Sequence, residues 1–148
     1  MSHTYTKLLT HIMFSTKNRD RTIAAEVQPK LHAYLGGIVR DLGGSALAAG
    51  GVEDHVHLLV ILPPRLALSD TMREIKSGSS RWMKEEHEPK FAWQTGFTAF
   101  SVSQTKVAET IKYIETQAEH HRIKSFKEEL LEFLKGYEVE YDEKYLWD

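Results

Sequence analysis

The order of elements in this sequence predicts an α+β domain of the split βαβ, ferredoxin-like kind. It is one antiparallel four-stranded sheet with helices on one face and an additional C-terminal helix that bears a tyrosine. Three observations carry that prediction. Residues 54–62 are apolar on both alternating faces, as an interior strand is. Residues 26–42 repeat their apolar positions at helical spacing. The segments follow one another as strand, helix, strand, strand, helix, strand, then helices.

Residues 8–16 alternate partly and are rich in strand formers, so they form the first strand, with a turn at Lys17-Asn18-Arg19-Asp20. In 26–42, Val27, Leu31, Leu35, Ile38 and Leu42 share one helix face, and Gly43-Gly44 ends the helix. Residues 45–51 make a short, weak strand. The strong strand 54–62 points Val56, Leu58 and Val60 one way and Leu59 and Ile61 the other, and Pro63-Pro64 stops it. Ser69 is expected to cap a helix reaching about Glu86. A fourth strand covers 97–103. Ser103 or Thr105 then caps a continuous helix over 106–121. A last helix spans 126–134, and 137–148 is an aromatic, acidic tail.

Composition narrows the function classes. The 148 residues suit a single domain, 1–148, with its own core. No apolar run is long enough to cross a bilayer, and Met1 to Lys7 lacks the layout of a signal peptide, so the expectation is a cytoplasmic protein that does not use a membrane. The sequence contains no cysteine, which excludes disulfides, thiolate metal sites and cysteine nucleophiles. Net charge is −2, from 19 Lys+Arg and 21 Asp+Glu, so any nucleic-acid contact must come from a local patch. Lys17, Arg19 and Arg21 form one such cluster. Lys76 and Arg81 form another, with Ser79 as a hydrogen-bond donor to phosphate.

The chemistry concentrates in His55-Val56-His57. On a strand the two imidazoles stand on one face while Val56 points into the core, which makes half of a metal site. Tyr113 and Gln117, four apart on the helix predicted for 106–121, lie one above the other beside its apolar stripe of Val107, Ile111, Ile114 and Ala118. Together, two imidazoles and an amide oxygen leave positions open on Mg²⁺ or Mn²⁺ for a phosphate oxygen. The Tyr113 phenol can attack phosphorus and keep the phosphate as an ester, which conserves the bond for rejoining. Taken singly, each residue has a plainer reading: a strand histidine, a helix-edge tyrosine, a surface amide. His120 and His121 read as helix C-terminal residues facing the helix dipole, with extra ligands or proton carriers as the alternative and His120, on the Tyr113 face, kept as a further candidate; His11 reads as a strand residue near the site.

His55-Val56-His57 resembles the histidine-hydrophobic-histidine (HUH) motif of single-strand endonucleases, and Tyr113-Ile114-Glu115-Thr116-Gln117 with His120-His121 resembles the tyrosine helix of the single-tyrosine HUH transposases. Lys76 to Trp82, Trp93 to Ser103 and Tyr141 to Trp147 resemble further segments of that family in the same order. The resemblance implies a DNA transposase. His55, His57 and Gln117 would hold a divalent metal, Mg²⁺ or Mn²⁺. Tyr113 would form a 5′-phosphotyrosine and free a 3′-hydroxyl. The substrate would be single-stranded DNA carrying hairpins at the element ends. The family further implies a homodimer whose tyrosine helices complete each other's metal sites; unlike some members, this chain has no glycine between Phe97 and Tyr113. Three other readings stand beside this one. They are a domesticated relative that processes hairpins, a catalytically inactive nucleic-acid-binding module on the same fold, and a metal hydrolase of small phosphate esters.

Overall fold

The structure, a computed structural model, describes residues 3–147. Its strands are β1 (Leu9–Ser15), β2 (Ser45–Gly51), β3 (His55–Ile61) and β4 (Thr98–Ser101). Helices α1 (Gln28–Asp41) and α2 (Leu68–Glu86) make the two crossovers; α3 (Val107–Glu115), α4 (Gln117–His120) and α5 (Phe126–Gly136) follow β4. The sheet order is β2-β3-β1-β4, antiparallel throughout. The β1-α1-β2 crossover leaves room for β3, and β3-α2-β4 leaves room for β1. This is the split βαβ plan that the element order predicts.

The register divides the sheet into two chemically different faces. Phe14 pairs with Val56 and Ile12 with Leu58, so these four side chains share a face. There they meet Leu31, Leu35 and Val39 of α1 and Met72, Ile75 and Met83 of α2 in the main core. Met13 pairs with His57, and His11 with Leu59, on the opposite face. That face is covered by α5, through Phe126, Leu130 and Leu134 packed with Met13 and Phe100. Both histidines of the β3 motif therefore point away from the main core into a second, smaller one.

Several boundaries differ from expectation. Helix α2 starts at Leu68 with Ala67 as its N-cap, so Ser69 lies inside the first turn rather than capping it. Helix α1 starts at Gln28, with a proline in its first turn, where the missing N–H costs nothing. Strand β4 is only four residues long. Ser103, not Thr105, caps the turn before α3, its side chain accepting from the Thr105 amide.

The largest departure is that the helix expected over 106–121 is broken. Helix α3 ends at Glu115, Thr116 takes φ −109° and ψ 30°, and α4 restarts at Gln117. The Thr116 hydroxyl donates to the Lys112 carbonyl at 2.7 Å, a local bond that competes with the regular ladder and accompanies helix bends. Helix α3 lies directly on β2. A Cβ at Gly50 would collide with the Ile114 carbonyl, so only glycine permits that approach. Among the described residues no helix is long and apolar enough to cross a membrane.

Candidate metal centre

Strand β3 sets the first two groups. The His55 and His57 rings are both fully buried, 5.1 Å apart centre to centre. Each has one nitrogen held from behind. His55 Nδ1 lies 2.7 Å from the Asp54 carboxylate, and His57 Nδ1 lies 2.8 Å from His11 Nε2. This outer hydrogen bonding fixes ring orientation and leaves both Nε2 atoms facing one point, as in metal-ligating histidines. The β1–β3 register brings His11 there: it sits two residues from Met13, the partner of His57, on the same face.

Helix α5 supplies the group that completes the cluster. Ser125 and Glu128 form a capping box that fixes the helix start. Phe126 then stacks on His55, with ring centres 4.1 Å apart and planes 16° from parallel. Glu129, three residues on, enters the site from the same face and is 2% exposed. Its Oε1 lies 3.0 Å from His57 Nε2, 3.2 Å from His121 Nε2 and 3.7 Å from His55 Nε2. Its Oε2 accepts a hydrogen bond from the Tyr113 hydroxyl. The break at Thr116 turns Gln117 and His121 inward as well. Gln117 Oε1 is 2.9 Å from His121 Nε2 and 3.3 Å from His55 Nε2.

The ligand atoms of His55, His57, His121 and Glu129 all lie within 4.8 Å of one another. Three imidazole nitrogens and a carboxylate, with an amide oxygen beside them, suit a divalent transition ion. Electrostatics agree with that fit. Burial pushes His57 down to about 4, and burial with the neighbouring His57 pushes His11 down to about 3, so both rings are neutral near pH 7. Burial alone would raise Glu129, but hydrogen bonds from His121 and His57 outweigh it and hold the carboxyl well below its usual range. Burial would lower His121, yet the Glu129 hydrogen bond wins and raises it. Burial, and then the Glu129 charge, push the Tyr113 phenol well above its ordinary value, so it keeps its proton.

The structure thus brings together all four residues that sequence reasoning put at the centre: His55, His57, Tyr113 and Gln117. Tyr113 reaches the candidate metal cluster of its own chain, with its ring 5.8 Å from that of His57. No exchange of helices between subunits is needed for this arrangement. His120 stacks on Tyr113 at 4.5 Å and lies 3.1 Å from Thr116 Oγ1, outside the ligand group. His121 is corrected from a dipole-facing helix end to a member of the cluster.

The basic residues divide. Arg19 and Arg21 share a cleft of about 480 Å³ with Asp54, His121 and Arg122, at the edge of the site, and Lys17 is exposed in the same turn. Lys76, Ser79 and Arg81 belong to α2, across the sheet from the histidines. Lys76 donates to the carbonyls of Gln94, Thr95 and Gly96 at 2.5, 2.9 and 2.7 Å. Ser79 is fully buried, donating to the Ile75 carbonyl and accepting from the Trp93 indole. The phosphate contact expected of Ser79 would require its hydroxyl to leave the core. Arg81 is exposed.

Glu129 is a cluster residue that the sequence reading does not single out. Its signal is position: it falls within the apolar face Phe126, Leu130, Phe133 and Leu134, where an unpaired carboxylate would be costly.

Comparisons with known proteins agree with this fold. The family model described as "Transposase IS200 like" matches residues 4–117, from before β1 to Gln117. The ISDra2 transposase TnpA of Deinococcus radiodurans is 29% identical over 114 residues, covering 72% of this chain and 81% of that protein. A crystal structure from Deinococcus radiodurans assigned as a transposase superposes with a TM-score of 0.60 at 28% identity, covering 79% of this chain and 96% of that one. A REP-associated tyrosine transposase, solved bound to a REP hairpin, shares the fold, with a TM-score of 0.57 at 20% identity, covering 77% of this chain and 68% of the other. His121 and Glu129 lie beyond the segment that the family model matches.

Proposed function

The chain belongs to the IS200-like transposase family, and from that premise we propose that it is a metal-dependent single-strand DNA endonuclease and strand transferase that works through Tyr113. The carrying observation is that one carboxylate, Glu129, touches both the Tyr113 phenol and the imidazole cluster. Nucleophile and metal-binding groups therefore belong to one site.

His55, His57, His121 and Glu129 would hold the ion, with Gln117 as a further oxygen donor. The donor set, rich in nitrogen, favours Mn²⁺ over Mg²⁺. Such an ion supplies positive charge that polarises a phosphate oxygen. The chain's own residues do the rest. Asp54 and His11 orient the two motif imidazoles. Glu129 holds the Tyr113 hydroxyl by a hydrogen bond that orients its oxygen toward phosphorus, and the phenolic proton passes to water as that bond forms. The bond from phosphorus to the 3′ oxygen breaks, that oxygen takes a proton from water and leaves as a 3′-hydroxyl, and the 5′ phosphate stays on Tyr113. Attack by a 3′-hydroxyl on this ester reverses the step and joins strands.

The substrate in this reading is single-stranded DNA with hairpins, contacted by Lys17, Arg19 and Arg21 near the cluster and by Arg81 on the far face. A homodimer is part of the proposal, each site being closed by the tyrosine of its own chain. The test is a hairpin oligonucleotide with Mn²⁺ or Mg²⁺. Wild type should form a protein–DNA adduct that survives denaturation, whereas Tyr113→Phe should bind with little change and form none. Adduct persisting in Tyr113→Phe, or cleavage indifferent to EDTA, would overturn the reading.

A further inference from the structure

Beside Tyr113, α4 and α5 line an open cavity of about 720 Å³. It borders the metal-ligand cluster, with His121 and Glu129 in its wall, and its volume is within the range that holds a small organic ligand. Its walls are aromatic: the Tyr113 ring with His120 stacked on it, Phe133 set edge-on to Tyr113 at 5.8 Å, and Tyr137. Phe133 and Tyr137 are held in place by Phe100, which stacks on both. The Tyr137 hydroxyl donates to the Ser101 carbonyl, fixing that ring to the end of β4.

The charges at the cavity select the kind of occupant. Glu119 and Glu132 stand at its edge, and Lys124 is taken up by Glu132 at 2.6 Å. That balance is unfavourable to a phosphate inside. Flat aromatic faces, with Lys124 paired to Glu132 and His121 to Glu129, suit a neutral, planar, unpaired ring, which is how single-stranded nucleic acid is gripped. Any nucleotide esterified to Tyr113 has its sugar and base within one residue's reach of the phenolic oxygen, and this cavity opens there.

We infer that the cavity is a nucleobase pocket, holding the unpaired base of the nucleotide whose 5′ phosphate Tyr113 captures. This rests on the strand-transfer reading for which nucleotide is held, but the pocket itself is defined by the aromatic walls. It gives the protein a direct hold on the base beside the cleaved bond. Nearly all of its lining comes from residues after 117, past the segment matched by the family model.

Gly136 offers a clean test. It lines the cavity, and a Cβ there would meet nothing within 4 Å. Gly136→Leu would fill the space while improving helix propensity, so its thermal midpoint should not fall. With 2-aminopurine replacing the base beside the cleavage site, wild type should quench the fluorophore by stacking. Gly136→Leu should bind the same oligonucleotide without that quenching. In the adduct assay an abasic nucleotide at that position should slow wild type about tenfold, the loss of roughly one stacking contact. Gly136→Leu should be slowed as much on intact DNA and no further on abasic DNA. Equal quenching by the two proteins, or equal adduct rates on intact and abasic DNA, overturns the pocket. Failure of the strand-transfer reading instead shows as no adduct with any oligonucleotide, with quenching still reporting on the pocket by itself.

Discussion

Tyr113 donates its phenolic hydrogen bond to Glu129, a residue sixteen positions later on a different helix. The second oxygen of Glu129 lies 3.0 Å from His57 Nε2, so a single carboxylate links the phenol to the imidazoles. Because Glu129 is buried, it has no water to replace either partner.

Glu129→Gln keeps the shape and removes the charge. Divalent-ion affinity should fall at least about tenfold, since a ligand contributes more than the outer groups whose loss costs 10–100-fold. Wild type in Mn²⁺ at roughly 100 times its Kd should gain about 2.7 kcal/mol, read as a rise in thermal midpoint. Titrating Mn²⁺ against the melting of both proteins checks this, and identical shifts would remove Glu129 from the ligand set.

Asp54→Asn should weaken the ion about 10–100-fold while leaving the fold intact, because Asp54 acts by holding His55 Nδ1 from behind. Isothermal titration with Mn²⁺, alongside an unchanged circular dichroism spectrum, gives the comparison. Unaltered affinity would mean that His55 is oriented by its stack on Phe126 alone.

Stability without metal should drain as the solution is acidified. Burial holds His32 at about 4, and its Nε2 is buried with no hydrogen-bond partner among the described residues. Its folded value lies below the ordinary 6.5. The unfolded chain therefore takes the proton first; the stability is complete above 6.5 and is lost as pH falls through about 4. His32→Leu should flatten the fall in thermal midpoint across that window in EDTA. Parallel curves for the two proteins would show that His32 contributes nothing to it.

Lys76→Met should cost stability rather than alter the salt dependence of DNA binding. The ammonium ties three successive carbonyls of the 94–96 loop, and such charged bonds contribute about 1.5–3 kcal/mol each. Burial, pushing Lys76 down to about 8, reflects the same enclosure. A melting point equal to wild type, with a shallower salt slope, would instead make Lys76 a phosphate contact.

Much of the fold was legible because its signals are local. The spacing of Leu31 and Leu35 marked the buried face of α1, which continues at Val39 while the expected Ile38 and Leu42 are only half-buried, and the two-sided apolar pattern of β3 put it inside the sheet. Gly43 ended α1 as expected, in the left-handed conformation at φ 97°. The break at Thr116 was not legible, since 106–121 reads as one amphipathic helix. Thr116 is a tolerable helix residue whose hydroxyl bond to Lys112 shows only in three dimensions.

By itself the sequence determined which side chains could do chemistry on which strand face: the period of two put His55 and His57 side by side, and the order of elements placed their strand in the middle of the sheet. Only the tertiary structure decided what stands opposite them. Glu129 and His11 come 72 and 46 residues away from His57 along the chain, and nothing local encodes such a meeting. The β1–β3 register, the bend at Thr116 and the docking of α5 by its apolar face select those partners, because a buried imidazole pair must be matched by whatever polar groups the packing brings to it.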